Sequence, residues 1–194
     1  LDGFKDVIKA FKIKNLRLIF AVVFIFCIGW SFFYEFISVT WISDYGFDAA
    51  KVGFFYAYGS GFYAISSGIL IRPIVDRFRN NVVFFYTLIA NGLLFLFLLI
   101  KPPPIWVWVY LPVVNFLGAL LYPTSTAMVS DMASDEEQGE VLGILQSVQA
   151  AAFGLSPLAA GSLLGNNPHM PMVLGGSSML LAALLLASSM QWRR

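Results

Sequence analysis

The stretch LIFAVVFIFCIGWSFFYEFISVTWI, residues 18–42, is apolar throughout and carries one charge, Glu35. A helix crosses a bilayer with about 20 mostly apolar residues, so this run is long enough to span one. Outward from it, residues 52–71, 81–100 and 105–130 form three more runs of comparable length with no charged side chain. From Val141 to Trp192 there is no Asp, Glu, Lys or Arg at all. That stretch is too long for one crossing. Gly165-Asn166-Asn167-Pro168-His169-Met170-Pro171 places turn-forming residues at its centre, so it divides into 141–164 and 172–190. The runs are continuous rather than alternating, and helices satisfy their backbone hydrogen bonds internally in lipid, which excludes a barrel wall. The predicted fold is an all-α membrane protein with six transmembrane helices within residues 18–192. A basic segment over 1–17 precedes them and a basic end at 193–194 follows.

Composition agrees. Hydrophobic residues make up 59% of the 194 and charged residues 12%, about half the usual charged share of a soluble domain. A net charge of +1 gives no reason to expect a nucleic-acid partner. One cysteine, Cys27, and one histidine, His169, exclude an internal disulfide and leave too few ligands for a Cys- or His-based metal site. No phosphate-cradling loop and no paired catalytic carboxylates are present. Neither a cofactor nor a metal is expected. The chain opens on Leu1, as expected of a fragment or a processed product.

Positive charge orients the spans. Lys5, Lys9, Lys12, Lys14 and Arg17 precede the first span, Arg72, Arg77 and Arg79 lie between the second and third, and Arg193 and Arg194 follow the sixth. Six crossings put ten of the twelve basic residues on one face, so both termini are expected in the cytoplasm. The acidic turn Asp131, Asp135, Glu136, Glu137 and Glu140 shares that side. Acidic residues weigh little in orientation, and these suit the N-terminus of the fifth span, whose dipole favours carboxylates. Phe4, Val7, Ile8 and Phe11 have helical spacing opposite lysines, which reads as a short interfacial helix or a plain basic linker.

Glu35 is the most informative residue. A carboxylate inside a span costs roughly 2.5–3.5 kcal/mol and normally faces a cavity or a partner. It lies on a polar stripe with Ser31, Tyr34 and Ser38. It reads either as a protonatable or cation-binding site, or as a structural hydrogen-bonding group near the end of a long helix. The second span offers Tyr56, Tyr58, Ser60, Tyr63, Ser66 and Ser67. The fourth carries Asn115, and the fifth carries Gln146 and Gln149, expected on one face. Glu35, Asn115, Gln146, Gln149 and Tyr58 are therefore the candidate substrate or proton-coupling residues. This distribution turns spans one, two, four and five toward water or a partner, and three and six toward lipid. Small residues recur at packing intervals: Gly53, Ala57 and Gly61 in the second span, Ala150 and Gly154, then Gly161 and Gly165, in the fifth. Pro112, Pro123 and Pro157 interrupt the fourth and fifth.

The turn Gly68-Ile69-Leu70-Ile71-Arg72-Pro73-Ile74-Val75-Asp76-Arg77-Phe78-Arg79-Asn80 resembles the cytoplasmic D-R-x-G-R-R signature of the major facilitator superfamily. Its Asp76-Arg77 core stands, while Arg79 takes the usual glycine position and Arg72 replaces an upstream glycine. Glu136-Glu137-Gln138-Gly139-Glu140-Val141-Leu142-Gly143, with Gln146-Ser147 and Ser156-Pro157-Leu158-Ala159-Ala160-Gly161, resembles the tenth-to-eleventh helix region of drug–proton antiporters of the tetracycline-efflux type. The resemblance covers nearly the whole chain and implies the C-terminal half of such a transporter. Its partners would be an N-terminal six-helix half, the lipid bilayer, a small-molecule substrate and the proton, with a place in a bacterial inner membrane. It implies alternating access, proton-coupled efflux, and a conformational clasp of Asp76, Arg77 and Arg79. Uptake of a metabolite or osmolyte is the alternative within the family. Two other classes are a rhomboid-like serine protease, from Gly59-Ser60-Gly61 with His169 as base, and a non-transporting membrane scaffold.

Overall fold

The computed structural model describes residues 16–163 and 167–189. The basic segment with Lys5, Lys9, Lys12 and Lys14, the turn residues Gly165 and Asn166, and Arg193 and Arg194 lie outside them. The described residues are all-α. The elements are α1 (Arg17–Tyr45), α2 (Ala49–Ile65) continued by a π turn (Ser66–Leu70), the short α3 (Arg72–Val75), α4 (Asn80–Phe97), α5 (Val107–Ser130), α6 (Gln138–Leu163) and α7 (Met170–Ser189). Short 3-10 turns over Leu98–Ile100 and Pro104–Trp106 end α4 and begin α5.

Among the described residues, five segments are long and apolar enough to cross a membrane: Arg17–Tyr45, Asn80–Ile100, Pro104–Ser130, Gln138–Ala160 and Met170–Ser188. They correspond to predicted spans one, three, four, five and six. The second predicted span, 52–71, is not among them. Its α-helix stops after 17 residues, where the backbone widens into the π turn, and its many Tyr, Ser and Gly residues dilute its apolar character.

Local chemistry sets the ends that the apolar runs alone misplace. α1 continues to Tyr45 rather than residue 42, because Gly46 takes φ 62° and closes the helix. Its N–H donates to Ile42 O at 3.1 Å, the bond of an αL closure that needs a left-handed residue, and that of Phe47 donates to Trp41 O at 3.3 Å. α2 starts at Ala49 because Asp48 Oδ1 accepts the Lys51 N–H at 2.8 Å, an N-cap. Ser134 Oγ donates to Glu137 Oε2 at 2.7 Å just ahead of α6, which is where the acidic turn was expected to support a helix start.

α1 is the central helix: 61% of its apolar window is buried, more than in any of the other four crossing segments. α7 packs along both α1 and α4, α6 along α1, α5 along α4, and α2 along α5. Lipid tails are as apolar as side chains, so helices in a bilayer associate by close packing rather than by escape from water. The adjacent pair Gly175 and Gly176 supplies that packing here. A Cβ on Gly175 would lie 2.9 Å from Gly29 O on α1, and one on Gly176 would lie 2.9 Å from Gly92 O on α4. One turn of α7 thus touches two backbones, and Phe33 and Phe95 stack beside it at 3.6 Å.

Within this bundle, Gly53, Ala57 and Gly61, and Ala150 and Gly154, are not where the helices touch. Nothing lies within 4 Å of a Cβ placed on Gly53, Gly61 or Gly154, and Ala57, Ala150 and Pro157 are exposed. Spacing of four marks a helix face without saying what covers it, and these faces look out of the bundle. Gly161 falls in the last turn of α6, whose side chains lie outside the described residues.

Candidate functional site

Glu35 stands ten residues inward from Tyr45, about 15 Å along the helix axis, and its side chain is exposed on the surface of the bundle. Ser31 Oγ, one turn earlier, donates to Glu35 Oε1 at 2.6 Å. The neighbouring Tyr34 ring stacks on Trp30 with centroids 5.9 Å apart and meets Tyr56 of α2 edge-on at 5.5 Å. Tyr56 Oη donates to Tyr34 O at 2.9 Å, and Tyr34 Oη lies 3.2 Å from Ser60 Oγ. The predicted stripe on α1 is therefore real and joins hydroxyls from α2. Beneath it a pocket lined by Phe33, Tyr34, Ile37, Trp41, Phe55, Tyr56, Gly59, Leu111 and Asn115 has room for about one water molecule. A substrate needs several hundred Å³, so this pocket cannot enclose one.

The other candidates do not converge on Glu35. Tyr58 Oη donates to Trp108 O at 2.9 Å, and its ring packs among Phe54, Phe62 and Trp108. It is Tyr56, two positions earlier and 200° around the helix, that approaches the α1 stripe. Asn115 is buried, with Nδ2 donating to Leu111 O at 2.9 Å. A Cβ on Gly59 would come within 2.9 Å of that nitrogen, so Asn115 sets the closest approach of α2 to α5. Gln146 and Gln149 do not share an environment as expected: Gln146 is exposed and Gln149 buried, because a three-residue step straddles the border of the packed face of α6. Asp76, Arg77 and Arg79 sit in the turn between α3 and α4, exposed and in no ion pair among the described residues.

The arrangement offers a carboxylate and several aromatic hydroxyls on an open helix face. That chemistry suits proton exchange and polar recognition. Among the described residues no three His, Cys, Asp or Glu side chains gather to hold a metal. Ser60 and His169 are not brought together. Ser60 lies eleven residues into α2 from Ala49, roughly 16 Å deep, whereas His169 stands at the bundle end beside Asp44. Sequence reading passed over that Asp44 contact altogether, since it joins three separate turns that no spacing rule connects.

The profile of the Major Facilitator Superfamily matches residues 19–193. No curated protein and no solved structure matches the chain. The family is one of transmembrane transporters and is typically non-enzymatic, so the protease reading is set aside. Its profile runs from the first residues of α1 past the end of α7, and the chain belongs to the Major Facilitator Superfamily.

Proposed function

We propose that the chain is one six-helix half of an alternating-access transporter. In this reading the complete protein exports an amphiphilic small molecule against an inward flow of protons, as tetracycline-type antiporters do. The observation that carries it is Glu35, a carboxylate three turns inside a crossing helix on a face that this half leaves open. At that depth a lipid-facing carboxylate is costly, whereas a water-filled cavity between two halves solvates it and gives it a route to protons. Tyr34, Tyr56 and Ser60 then line the same cavity wall.

The second half supplies the other wall. The open faces at Gly53, Ala57, Gly61 and Gly154 suit the close approach of another helical bundle. α2 with its π turn totals 22 residues, about 30 Å, which is enough to serve as the sixth span. Arg72, Arg77 and Arg79 mark their turn as cytoplasmic, with both termini on that side, in the inner membrane of a bacterium. Asp76, Arg77 and Arg79, in no ion pair among the described residues, clasp the other half in one of the two conformations.

The test is transport by the complete protein in proteoliposomes with an imposed pH gradient. Proton-driven movement is expected in wild type and absent in Glu35→Gln, with Tyr58→Phe close to wild type. Undiminished proton-driven transport by Glu35→Gln would defeat the reading. Substrate movement along the proton flow would identify an uptake carrier instead.

A further inference from the structure

Three ionisable side chains meet at the end of the bundle opposite the Asp76–Arg77 turn. Asp44, in the last turn of α1, has its carboxylate buried, 3% exposed. Lys101, between α4 and α5, sets Nζ 3.0 Å from Oδ1, and His169, just before α7, sets Nδ1 3.5 Å from Oδ2. The two contacts differ in kind. Lys101 is at hydrogen-bonding distance, whereas Asp44 Oδ2 and His169 Nδ1 are both buried without a hydrogen bond although they face each other. Buried polar atoms are nearly always paired, and a ring nitrogen without a proton cannot donate to a carboxylate. At 3.5 Å the pair is close, yet neither atom is hydrogen-bonded. Each turn also has a neutral tie to α1: Tyr45 Oη donates to Pro102 O at 2.8 Å and Thr40 Oγ1 to Pro168 O at 2.7 Å.

We propose that Asp44, Lys101 and His169 form a proton-binding site that latches the turn before α7 to the end of α1. A proton taken up by the His169 ring makes an imidazolium, in which both nitrogens carry a proton, and its Nδ1–H donates to Asp44 Oδ2 in a charge-assisted hydrogen bond. Lys101 stays on Oδ1, so one carboxylate holds both turns. When the proton leaves, the turn before α7 keeps, among the described residues, only the Thr40 hydrogen bond to α1. The His169 side chain is 26% exposed although Nδ1 itself is buried, so water meets the ring elsewhere than at Nδ1, and imidazole is the side chain that ordinarily changes charge between pH 5 and 8.

The other titratable groups at this end are already engaged. Asp48 caps α2, Lys51 lies 4.0 Å over the Phe47 ring and Tyr45 donates to Pro102; the exception is Tyr110 of α5, whose buried hydroxyl has no hydrogen bond among the described residues. α7 has no titratable side chain. α1 also carries Glu35, nine residues inward, so the latch makes the anchoring of that helix end depend on pH.

The test is amide hydrogen exchange over residues 167–173 of the full chain in lipid nanodiscs, at about pH 5.5 and about pH 7.5, on either side of ordinary imidazole titration. After correction for intrinsic exchange, wild type is expected to be about tenfold better protected at the acidic pH, the low end for a hydrogen bond to a charged group. His169→Gln, which removes the only histidine, and Asp44→Asn lose the difference. Thr40→Val lowers protection at both pH values and keeps the ratio. Equal protection of wild type at both pH values, or a difference that survives His169→Gln, overturns the proposal. These two proteins decide the matter even if Asp44→Asn does not fold.

Discussion

Replacing Gly175 by alanine and Gly154 by alanine should move stability in opposite directions, although both glycines lie inside helices. Alanine is intrinsically the better helix former by about 1 kcal/mol. At Gly154 nothing stands within 4 Å of the new Cβ, so a gain of about 0.5–1 kcal/mol remains. At Gly175 the Cβ meets Gly29 O at 2.9 Å, Phe33 Cβ at 3.1 Å and Phe95 Cδ2 at 3.2 Å. The nearest atom is backbone, which cannot rotate aside, so α1 and α7 must part and the Phe33–Phe95 stack shifts with them. Overpacking of this kind costs about 1–3 kcal/mol. Less the propensity gain, Gly175→Ala is destabilised by up to about 2 kcal/mol. For a chain of this size 1 kcal/mol moves the melting midpoint by about 2–4 °C. Thermal unfolding of the purified chain in nanodiscs should therefore place Gly175→Ala up to about 8 °C below wild type and Gly154→Ala about 1–4 °C above it. A Gly175→Ala protein that melts at or above wild type would refute the reasoning, because the close approach of α7 to α1 would then not exist.

Gly59→Val should destabilise the isolated chain by about 1–3 kcal/mol through its clash with Asn115. Gly61→Val, with open space around it, should change stability by less than about 0.5 kcal/mol; the same melts check both, while in the complete protein Gly61→Val should impair association with the second half, read by co-purification. Tyr45→Phe should cost about 1 kcal/mol by leaving Pro102 O without its donor and should speed amide exchange at Lys101 and Trp106, to either side of the three prolines.

Much of the fold was legible because lipid makes one demand on sequence that can be read directly: long, uncharged, continuous helices. That demand located α1, α4, α5, α6 and α7. It could not place the end of α1, which depends on the left-handed Gly46, or the π turn in α2, which depends on how Ser66–Leu70 meets α5. The site divides along the same line. Glu35 was conspicuous as the only charge in its run, and Ser31 and Tyr34 followed from helical spacing. Which tyrosine of α2 reaches them depends on helix rotation, so Tyr56 was passed over for Tyr58. The glycines that let helices touch, Gly29, Gly92, Gly175 and Gly176, belong to different helices, and only tertiary structure pairs them. Asp44, Lys101 and His169 were hidden for the same reason, one in each of three segments.

The central claim is that Glu35 looks into water between two halves rather than into lipid. Cys27 is buried; it and any cysteine of the other half are replaced by alanine, which leaves a protein without thiols. In that background Glu35→Cys and, separately, Leu184→Cys on the exposed apolar face of α7 are placed in the complete protein in membrane vesicles and treated with a charged, membrane-impermeant thiol reagent. The account predicts that Glu35→Cys reacts, at a rate that changes when a pH gradient is imposed, and that Leu184→Cys does not react. Equal inertness of the two positions would put Glu35 in lipid and contradict the account.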